Sequence, residues 1–203
     1  MLISRRMLLG ASVALASTGI AQGADSDAPG VVSRFCDELL AVMKLGKRVA
    51  FNDRYARLAP AVTRTFDLPL MIRIAVGPSW AQFDATRQQA LAAAFSQYTI
   101  SEYTSRFDDF GGERFDVSPT PTTNANGLMV GTRLIKSNGD PVVLNYLMRQ
   151  SAPGEWRAID VYLDGTISEL AARRSEFAAA LRQGGAEALV QLLLQRAAAL
   201  RTA

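Results

Sequence analysis

Residues 127–165 carry three runs of alternating side chains, and this pattern constrains the fold more than any other stretch of the chain. Successive side chains of a strand point to opposite faces of a sheet, so sustained alternation predicts strands. The segments between the runs, Ser-Asn-Gly-Asp at 137–140 and Ser-Ala-Pro-Gly at 151–154, have the composition of tight turns. We therefore expect three antiparallel strands, and beyond Gly165 the apolar spacing changes to that of a helix.

The remainder of the chain predicts mainly helices. Apolar residues recur at helical spacing over 31–45, 47–61, 68–76, 84–110, 166–183 and 186–200. Asp67 and Asp84 each precede one of these segments and are of the residue type that favours an N-cap, while Gly184 and Gly185 separate the last two. Because one face of the three-stranded sheet is almost wholly aliphatic, we expect helices to cover it in a single helix-rich α+β domain over residues 25–203.

Residues 113–117 predict a fourth strand, and the prolines at 119 and 121 place it at a sheet edge. The long helix before it has an apolar pattern that changes along its length. Leu91, Phe95 and Tyr98 lie on one arc, and the later apolar residues up to Phe110 lie on an arc rotated by roughly 130°. Either this helix bends near residues 99–101, or its second half contacts a different partner.

Residues 1–24 have the parts of an export signal. Arg5 and Arg6 precede a short apolar run, and small residues suited to cleavage follow near residues 21–24. The apolar run is too short to span a bilayer, and the arginine pair suits either the twin-arginine or the general secretory route. Of 22 basic and 19 acidic residues, the signal contains two basic ones, so the mature chain is almost neutral. This balance does not indicate nucleic-acid binding.

The side-chain inventory restricts the possible chemistry. The chain has no histidine, and Cys36 is its single cysteine, so histidine-based catalysis, histidine metal sites and internal disulfides are excluded. No glycine-rich phosphate loop, CxxC pair or nucleophile motif is present. We expect no catalytic residue, metal site or cofactor. Asp160 is the remaining candidate, either as a cavity carboxylate or as an outward residue paired with Arg157 or Arg173.

One face of the three strands has two possible roles. It is either ordinary core or the wall of a space for an apolar ligand. The residues on it are Leu128, Val130, Leu134, Val142, Leu144, Tyr146 and Met148. Trp80 likewise either plugs the core or forms a cavity wall. Arg133, Arg149 and Arg157 lie near strand ends, where they form either a solvated sheet face or a rim that contacts anionic headgroups.

Several stretches together resemble one family. They are FDLPLMIRIAVGPSW from residue 66, the helix with Phe95 and Tyr98, GERFDV from 112, LNYLMR from 144, and the segments EWR from 155 and DGTIS from 164. In order and spacing they resemble the periplasmic MlaC-type phospholipid-binding proteins, also known as toluene-tolerance ABC-transporter auxiliary proteins. The segment AARRSEFAAALRQGG from residue 171 is most similar to the hopanoid-biosynthesis-associated branch, HpnM.

The resemblance implies a fold and a function. The fold is a helix-rich α+β cradle, NTF2-like or MlaC-like, that closes over a curved antiparallel sheet of about four strands. The function is that of a soluble periplasmic carrier, which moves phospholipid or hopanoid between an inner-membrane ABC transporter and an outer-membrane lipoprotein complex through transient membrane contact. The expected cavity lining is Met71, Ile74, Trp80, Tyr98, Tyr103, Phe107, Leu128, Val130, Leu134, Val142, Leu144, Tyr146, Met148, Ile159 and Val161. Arg133, Arg149 and Arg157 form the expected headgroup rim.

Two other classes of function remain open on the sequence. A cradle-fold enzyme of the isomerase or dehydratase type would use Asp160 as its acid or base, with Tyr146 or Tyr162 as a partner. A structural adaptor would dock its helices on a membrane complex and bind no lipid.

Overall fold

The structure is a computed structural model that describes residues 27–202 of the chain. The predicted export signal lies outside these residues. The helices are α1 (Ala28–Met43), α2 (Phe51–Thr65), α3 (Leu68–Val76), α4 (Ala85–Arg106) and α5 (Glu169–Thr202). The strands are β1 (Arg114–Val117), β2 (Thr122–Asn124), β3 (Gly127–Val130), β4 (Thr132–Ile135), β5 (Pro141–Ala152), β6 (Glu155–Leu163) and β7 (Ile167–Ser168). This arrangement confirms the predicted helix-rich α+β fold.

The predicted caps set the helix boundaries. The Asp67 carboxylate accepts a hydrogen bond from the Leu70 amide at 3.1 Å, and Asp84 accepts one from the Arg87 amide at 2.8 Å. These bonds satisfy amides that have no partner within the first turn of a helix. Helix α5 contains non-helical backbone at Gly184 and Gly185, so it consists of the two predicted helices joined at a kink.

Helix α4 is continuous and ends at Arg106, earlier than predicted, because Phe107 leaves helical geometry. Its apolar arc turns because its two halves contact different partners. The Phe95 ring contacts the Phe177 ring of α5 with centroids 6.4 Å apart, whereas the Thr104 carbonyl accepts a hydrogen bond from Arg54 of α2. The second of the two alternatives for this helix is therefore correct.

The antiparallel sheet is built around β5. Strand β6 pairs with one side of β5, and β3 and β4 pair with the other side in one register, with Leu128 opposite Met148 and Leu134 opposite Val142. Between β3 and β4 the ladder is interrupted, and the Asn145 side-chain oxygen accepts a hydrogen bond from the Thr132 amide at 3.2 Å. The first predicted strand is therefore two strands.

Short strands complete the sheet at its margins. Strand β1 pairs with β4, β2 pairs with β3, and β7 pairs with the end of β6. The outer side of β6 is also met by the segment before α3, because the Asp67 amide donates a hydrogen bond to the Ala158 carbonyl at 2.9 Å. The sheet thus has seven strands where the sequence predicted about four. The additional ones arise from the interruption before Thr132 and from pairings of only two or three residues.

Helices cover the face of the sheet that carries Tyr146. The Phe35 ring of α1 lies against the Tyr146 ring with centroids 6.1 Å apart, and α2, α3 and α5 contact β6. Phe35, Tyr146 and Phe177 are among the largest fully buried side chains. Among residues 27–202, no helix combines the length and the apolar character needed to cross a membrane.

Candidate functional site

A cavity of about 280 Å³ lies between the sheet and helices α3, α4 and α5. The sheet supplies six apolar or aromatic side chains, from Leu134, Val142, Leu144, Tyr146, Val161 and Leu163. Val142 pairs with Leu134, Tyr146 with Val161, and Leu144 with Leu163. Directly paired residues share a sheet face, so the alternation of β5 alone predicts half of this wall.

Helices supply the opposite wall. Helix α4 presents Phe95, Thr99 and Tyr103 at a spacing of four, which keeps them on one face of the helix, and Phe107 follows where the helix ends. The remaining helical side of the cavity comes from the segment 66–71 and from the first turn of α5, through Phe66, Met71 and Leu170.

Aromatic rings close the inner end of the cavity. The rings of Phe66 and Tyr103 have centroids 5.5 Å apart, and Phe35 packs edge-on against each of them at 5.2 and 5.4 Å. Tyr103 and Tyr146 share a hydrogen bond between their hydroxyls, and burial raises the pKa of both phenols well above their ordinary value. These two phenols therefore stay neutral, which suits an apolar occupant.

Charged side chains line the cavity at another part of its wall. The Arg173 guanidinium contacts Glu102 at 2.6 Å and Glu169 at 2.9 Å, and Glu102 also accepts from Arg106 at 2.9 Å. Glu102 and Arg173 are only 12% and 15% exposed, whereas Arg106 is 55% exposed and reaches solvent. Burial lowers the pKa of Arg173, but the neighbouring carboxylates outweigh this effect, so its pKa lies above the ordinary value and it remains charged.

These four residues were missed as site residues by the sequence reasoning, although a signal was present. Glu102 and Arg106 are four residues apart on α4, and Glu169 and Arg173 are four residues apart on α5. This is the spacing of a helical ion pair. Glu102 also lies seven residues after Phe95, a spacing that places it on the same helix face as that lining residue.

The structure brings together about half of the side chains predicted to line a cavity. Those that line it are Met71, Tyr103, Phe107, Leu134, Val142, Leu144, Tyr146 and Val161. Those that lie elsewhere are Ile74, Trp80, Tyr98, Leu128, Val130, Met148 and Ile159.

Four of the predicted lining residues that lie outside the cavity are on strands, and the structure shows why. Met148 lies further along β5 than the lining residues and is 0% exposed. Val130, also 0% exposed, and Leu128 lie on β3, which pairs with this part of β5 and is contacted by α1. The side chains of Val130 and Met148 are therefore part of the closed core. Ile159 sits at an irregularity in the β5–β6 ladder, where Leu147 pairs with Asp160 and Met148 with Ala158. An irregularity of this kind moves a side chain out of strict alternation.

The helical residues outside the cavity have other partners. Trp80 lies in the short 3₁₀ segment Gly77–Gln82, and its carbonyl accepts a hydrogen bond from Gln88. Ile74 packs against the core on α3, a helix that contacts α5. The Tyr98 ring lies beneath the Arg173 guanidinium at 5.1 Å. Tyr98 therefore supports a charged lining residue without reaching the cavity itself.

The three arginines predicted to form a headgroup rim are not among the residues that line this cavity. Arg133 pairs with Asp116 and lies opposite Val143, whose side chain points away from Val142 and the cavity. Arg149 and Arg157 face each other beyond the irregular part of the ladder, and Arg157 donates a hydrogen bond to the Thr63 carbonyl at 3.1 Å. Their contacts are therefore with Asp116, with a neighbouring strand and with the Thr63 carbonyl.

Asp160 is buried, but it lies outside the cavity and pairs with neither Arg157 nor Arg173. Its carboxylate accepts hydrogen bonds from the Val161 amide at 2.8 Å, the Leu170 amide at 3.2 Å and the Ser168 hydroxyl. Burial raises the pKa of Asp160, and these hydrogen bonds partly oppose the rise. Its observed contacts are those of a residue that fastens the start of α5 to the sheet.

Comparison with solved structures reveals a related fold. The phospholipid-binding protein from Ralstonia solanacearum, solved in complex with a phospholipid, superposes with a TM-score of 0.73 at 23% sequence identity. The match covers 86% of this chain and 98% of that one. Comparison with curated proteins found no match. Residues 33–195 match the profile of the family described as MlaC protein. The chain therefore belongs to the MlaC family.

Proposed function

We propose that this protein is a lipid carrier that holds the acyl chains of a phospholipid in the cavity between the sheet and helices α3, α4 and α5. The observation that carries the proposal is a mainly apolar cavity with a charged group of side chains on its wall that reaches solvent at Arg106. Membership of the MlaC family and a similar fold that was solved with a phospholipid support it.

The energetics suit such a ligand. Each methylene transferred from water into an apolar site contributes about 0.8 kcal/mol, so ten buried methylenes provide roughly 8 kcal/mol before the costs of association are subtracted. The cavity wall contains Leu, Val, Met and Phe side chains, which accept chains of different length by contact alone. Tail volume would then limit which lipids bind.

The cavity must widen to hold a complete lipid. Small-molecule pockets measure roughly 300–1,000 Å³, and a lipid with two long tails exceeds a drug-sized ligand. A volume of about 280 Å³ therefore accommodates only part of such a lipid.

The proposed setting of this carrier is the periplasm. The predicted export signal supports it, as does the family to which the chain belongs. There the carrier would exchange its lipid with an inner-membrane ABC transporter and an outer-membrane lipoprotein complex. It would act as a binding protein and catalyse no reaction, since Asp160 lies outside the cavity.

Lipid extraction tests the carrier proposal. The mature protein is purified from the periplasm of its host under native conditions, and its bound lipid is quantified by mass spectrometry. We expect about one phospholipid per chain, whereas a bound hopanoid would assign the other ligand class and an empty protein would contradict the proposal.

A matched pair of variants locates the lipid. Val142→Phe places a larger ring in the cavity, while Val143→Phe adds the same volume to the neighbouring residue on the opposite face. We expect bound lipid to fall strongly in Val142→Phe only. Equal occupancy in both variants would place the lipid elsewhere.

A further inference from the structure

The charged side chains of the cavity wall form a row of alternating sign. The order is Arg106, Glu102, Arg173 and Glu169, with contacts of 2.9, 2.6 and 2.9 Å between successive members. The set has two positive and two negative charges, so it is neutral as a whole. Among the described residues that line the cavity, these four carry the formal charges, and the other lining side chains are apolar, aromatic or hydroxyl-bearing.

Stability alone does not account for this row. Removing two charges from water costs free energy that their mutual attraction often fails to recover, and replacing a buried pair by apolar residues is often neutral or stabilising. Glu102 and Arg173 are nevertheless held at 12% and 15% exposure on the wall of an apolar cavity. Their placement is better explained by a ligand that carries charge of both signs.

Both ends of the row retain hydrogen-bonding capacity. Within residues 27–202, Arg106 forms its ion pair with Glu102, and Glu169 forms its ion pair with Arg173. A guanidinium has five N–H donors, and a carboxylate can accept about four hydrogen bonds, so each end can take a further partner. Arg106 can therefore bind an anionic group while Glu169 binds a cationic one.

We propose that this row recognises the headgroup of a zwitterionic lipid that carries a primary ammonium, of the phosphoethanolamine class. The inference rests on the proposed carrier function and assigns a headgroup class to the same cavity. Arg106 donates to the phosphate oxygens, and the ammonium donates to the Glu169 carboxylate. A phosphocholine group has no N–H donor for Glu169. A phosphoglycerol group has no cation that could pair with the Glu169 carboxylate.

A competition experiment tests the proposal. The purified mature protein is incubated with vesicles that contain phosphatidylethanolamine, phosphatidylcholine and phosphatidylglycerol in equal amounts and with identical tails. The protein is then separated from the vesicles, and the bound lipids are quantified by mass spectrometry. We expect at least about tenfold enrichment of phosphatidylethanolamine over each competitor, which is the lower end of what one hydrogen bond to a charged group provides.

Variants identify the side chain responsible. In Glu169→Gln the carboxylate charge is lost with little change of shape, and the amide oxygen that remains can accept only a weaker hydrogen bond from the ammonium, so the ratio of phosphatidylethanolamine to phosphatidylcholine should fall severalfold. Glu176→Gln is the matched control, because Glu176 lies on the same helix and pairs with Arg196 outside the cavity. This control should keep the enrichment of the parent protein.

The outcomes separate the two proposals. Uptake of the three lipids in the proportions of the vesicle, or an unchanged ratio in folded Glu169→Gln, would contradict the headgroup assignment and leave the carrier function intact. Failure to take up any lipid would contradict the carrier function itself. The comparison within the parent protein decides the headgroup preference even if the variant fails to fold.

Discussion

The guanidinium of Arg54 donates a hydrogen bond to the main-chain carbonyl of Thr104 at 2.7 Å, and both residues are buried. This contact joins α2 to the last turns of α4, which carry Glu102, Tyr103 and Arg106 on the cavity wall. A second nitrogen of Arg54 donates to the Val49 carbonyl at 3.2 Å. Arg54 thus fixes the end of α4 without contacting the cavity.

Replacing Arg54 by leucine should destabilise the protein. The substitution leaves the buried Thr104 carbonyl without this donor, and hydrogen bonds that involve a charged group contribute about 1.5–3 kcal/mol. We expect a loss of that size in the free energy of unfolding, measured by urea denaturation. Arg57→Leu, on the exposed face of the same helix, should change stability by at most about 0.5 kcal/mol. Equal losses in the two variants would show that the hydrogen bond from Arg54 to the Thr104 carbonyl does not contribute to stability.

Gly127→Ala should destabilise the pairing of β3 with β5. A Cβ atom at Gly127 would lie 2.2 Å from the Met148 carbonyl oxygen, which is backbone and cannot turn aside. Overpacking of this kind costs about 1–3 kcal/mol, and thermal unfolding measures it. In Gly131→Ala, the control in the adjoining interruption, the nearest atoms would be 3.7 and 3.8 Å away, which is ordinary contact. A larger loss of thermal stability in Gly131→Ala than in Gly127→Ala would contradict the close approach of the Met148 carbonyl to Gly127.

Asp160 should make stability fall with rising pH in the acid range. Burial raises the pKa of Asp160 above its ordinary value of 3.8, so the folded protein holds the proton at a pH where the unfolded chain has released it. The stability from this group is therefore complete below 3.8 and is lost as the pH rises through the raised pKa. In Asp160→Asn this titration is removed, while the amide oxygen can still accept from Val161 and Leu170.

Urea denaturation at several pH values measures this effect. We expect the profile of Asp160→Asn to lack the acid-range decline of the parent protein, whereas Asp53→Asn, on the exposed surface of α2, should keep it. Parallel profiles for the parent protein and Asp160→Asn would show that Asp160 does not cause the decline of stability in the acid range.

Glu102→Gln should weaken the hold of α4 on α5. Glu102 is the one member of the charged row that contacts both arginines, and its loss leaves Arg173 with Glu169 alone. Breaking a buried pair typically costs about 3–5 kcal/mol, and the remaining partner reduces our expectation to about 1–3 kcal/mol in urea denaturation. The pair of Glu176 with Arg196 is more exposed, so Glu176→Gln should cost much less. A loss in Glu102→Gln no larger than that of the control would contradict this structural role.

Local patterns in the sequence predicted most of the elements. The caps at Asp67 and Asp84, the hairpin turns and the alternation of Val142, Leu144 and Tyr146 depend on neighbours within a few residues. The extra strands could not be predicted in this way, because β2 and β7 consist of three and two residues and exist through pairing with other strands.

The limits of the cavity depend on contacts that are distant in the sequence. Val130 and Tyr146 lie opposite each other on one sheet face, yet Tyr146 lines the cavity and Val130 does not, and the alternation of their strands does not distinguish the two. The displacement of Ile159 follows from an irregularity that alternation does not signal. Glu102 and Arg173 meet across 71 residues, so their helical spacing indicated two pairs but not the row that joins them.

The margins of the sheet bear on how this protein avoids self-association. Exposed strand edges offer unpaired amides and carbonyls to other chains, and proteins limit this risk with short edge strands, prolines and charged residues. Here β1 and β2 span four and three residues, prolines occupy positions 119 and 121 between them, and Arg114 is exposed. On the other margin, Asp67 and β7 occupy parts of the outer side of β6. The sheet therefore offers little free edge from which aggregation could start.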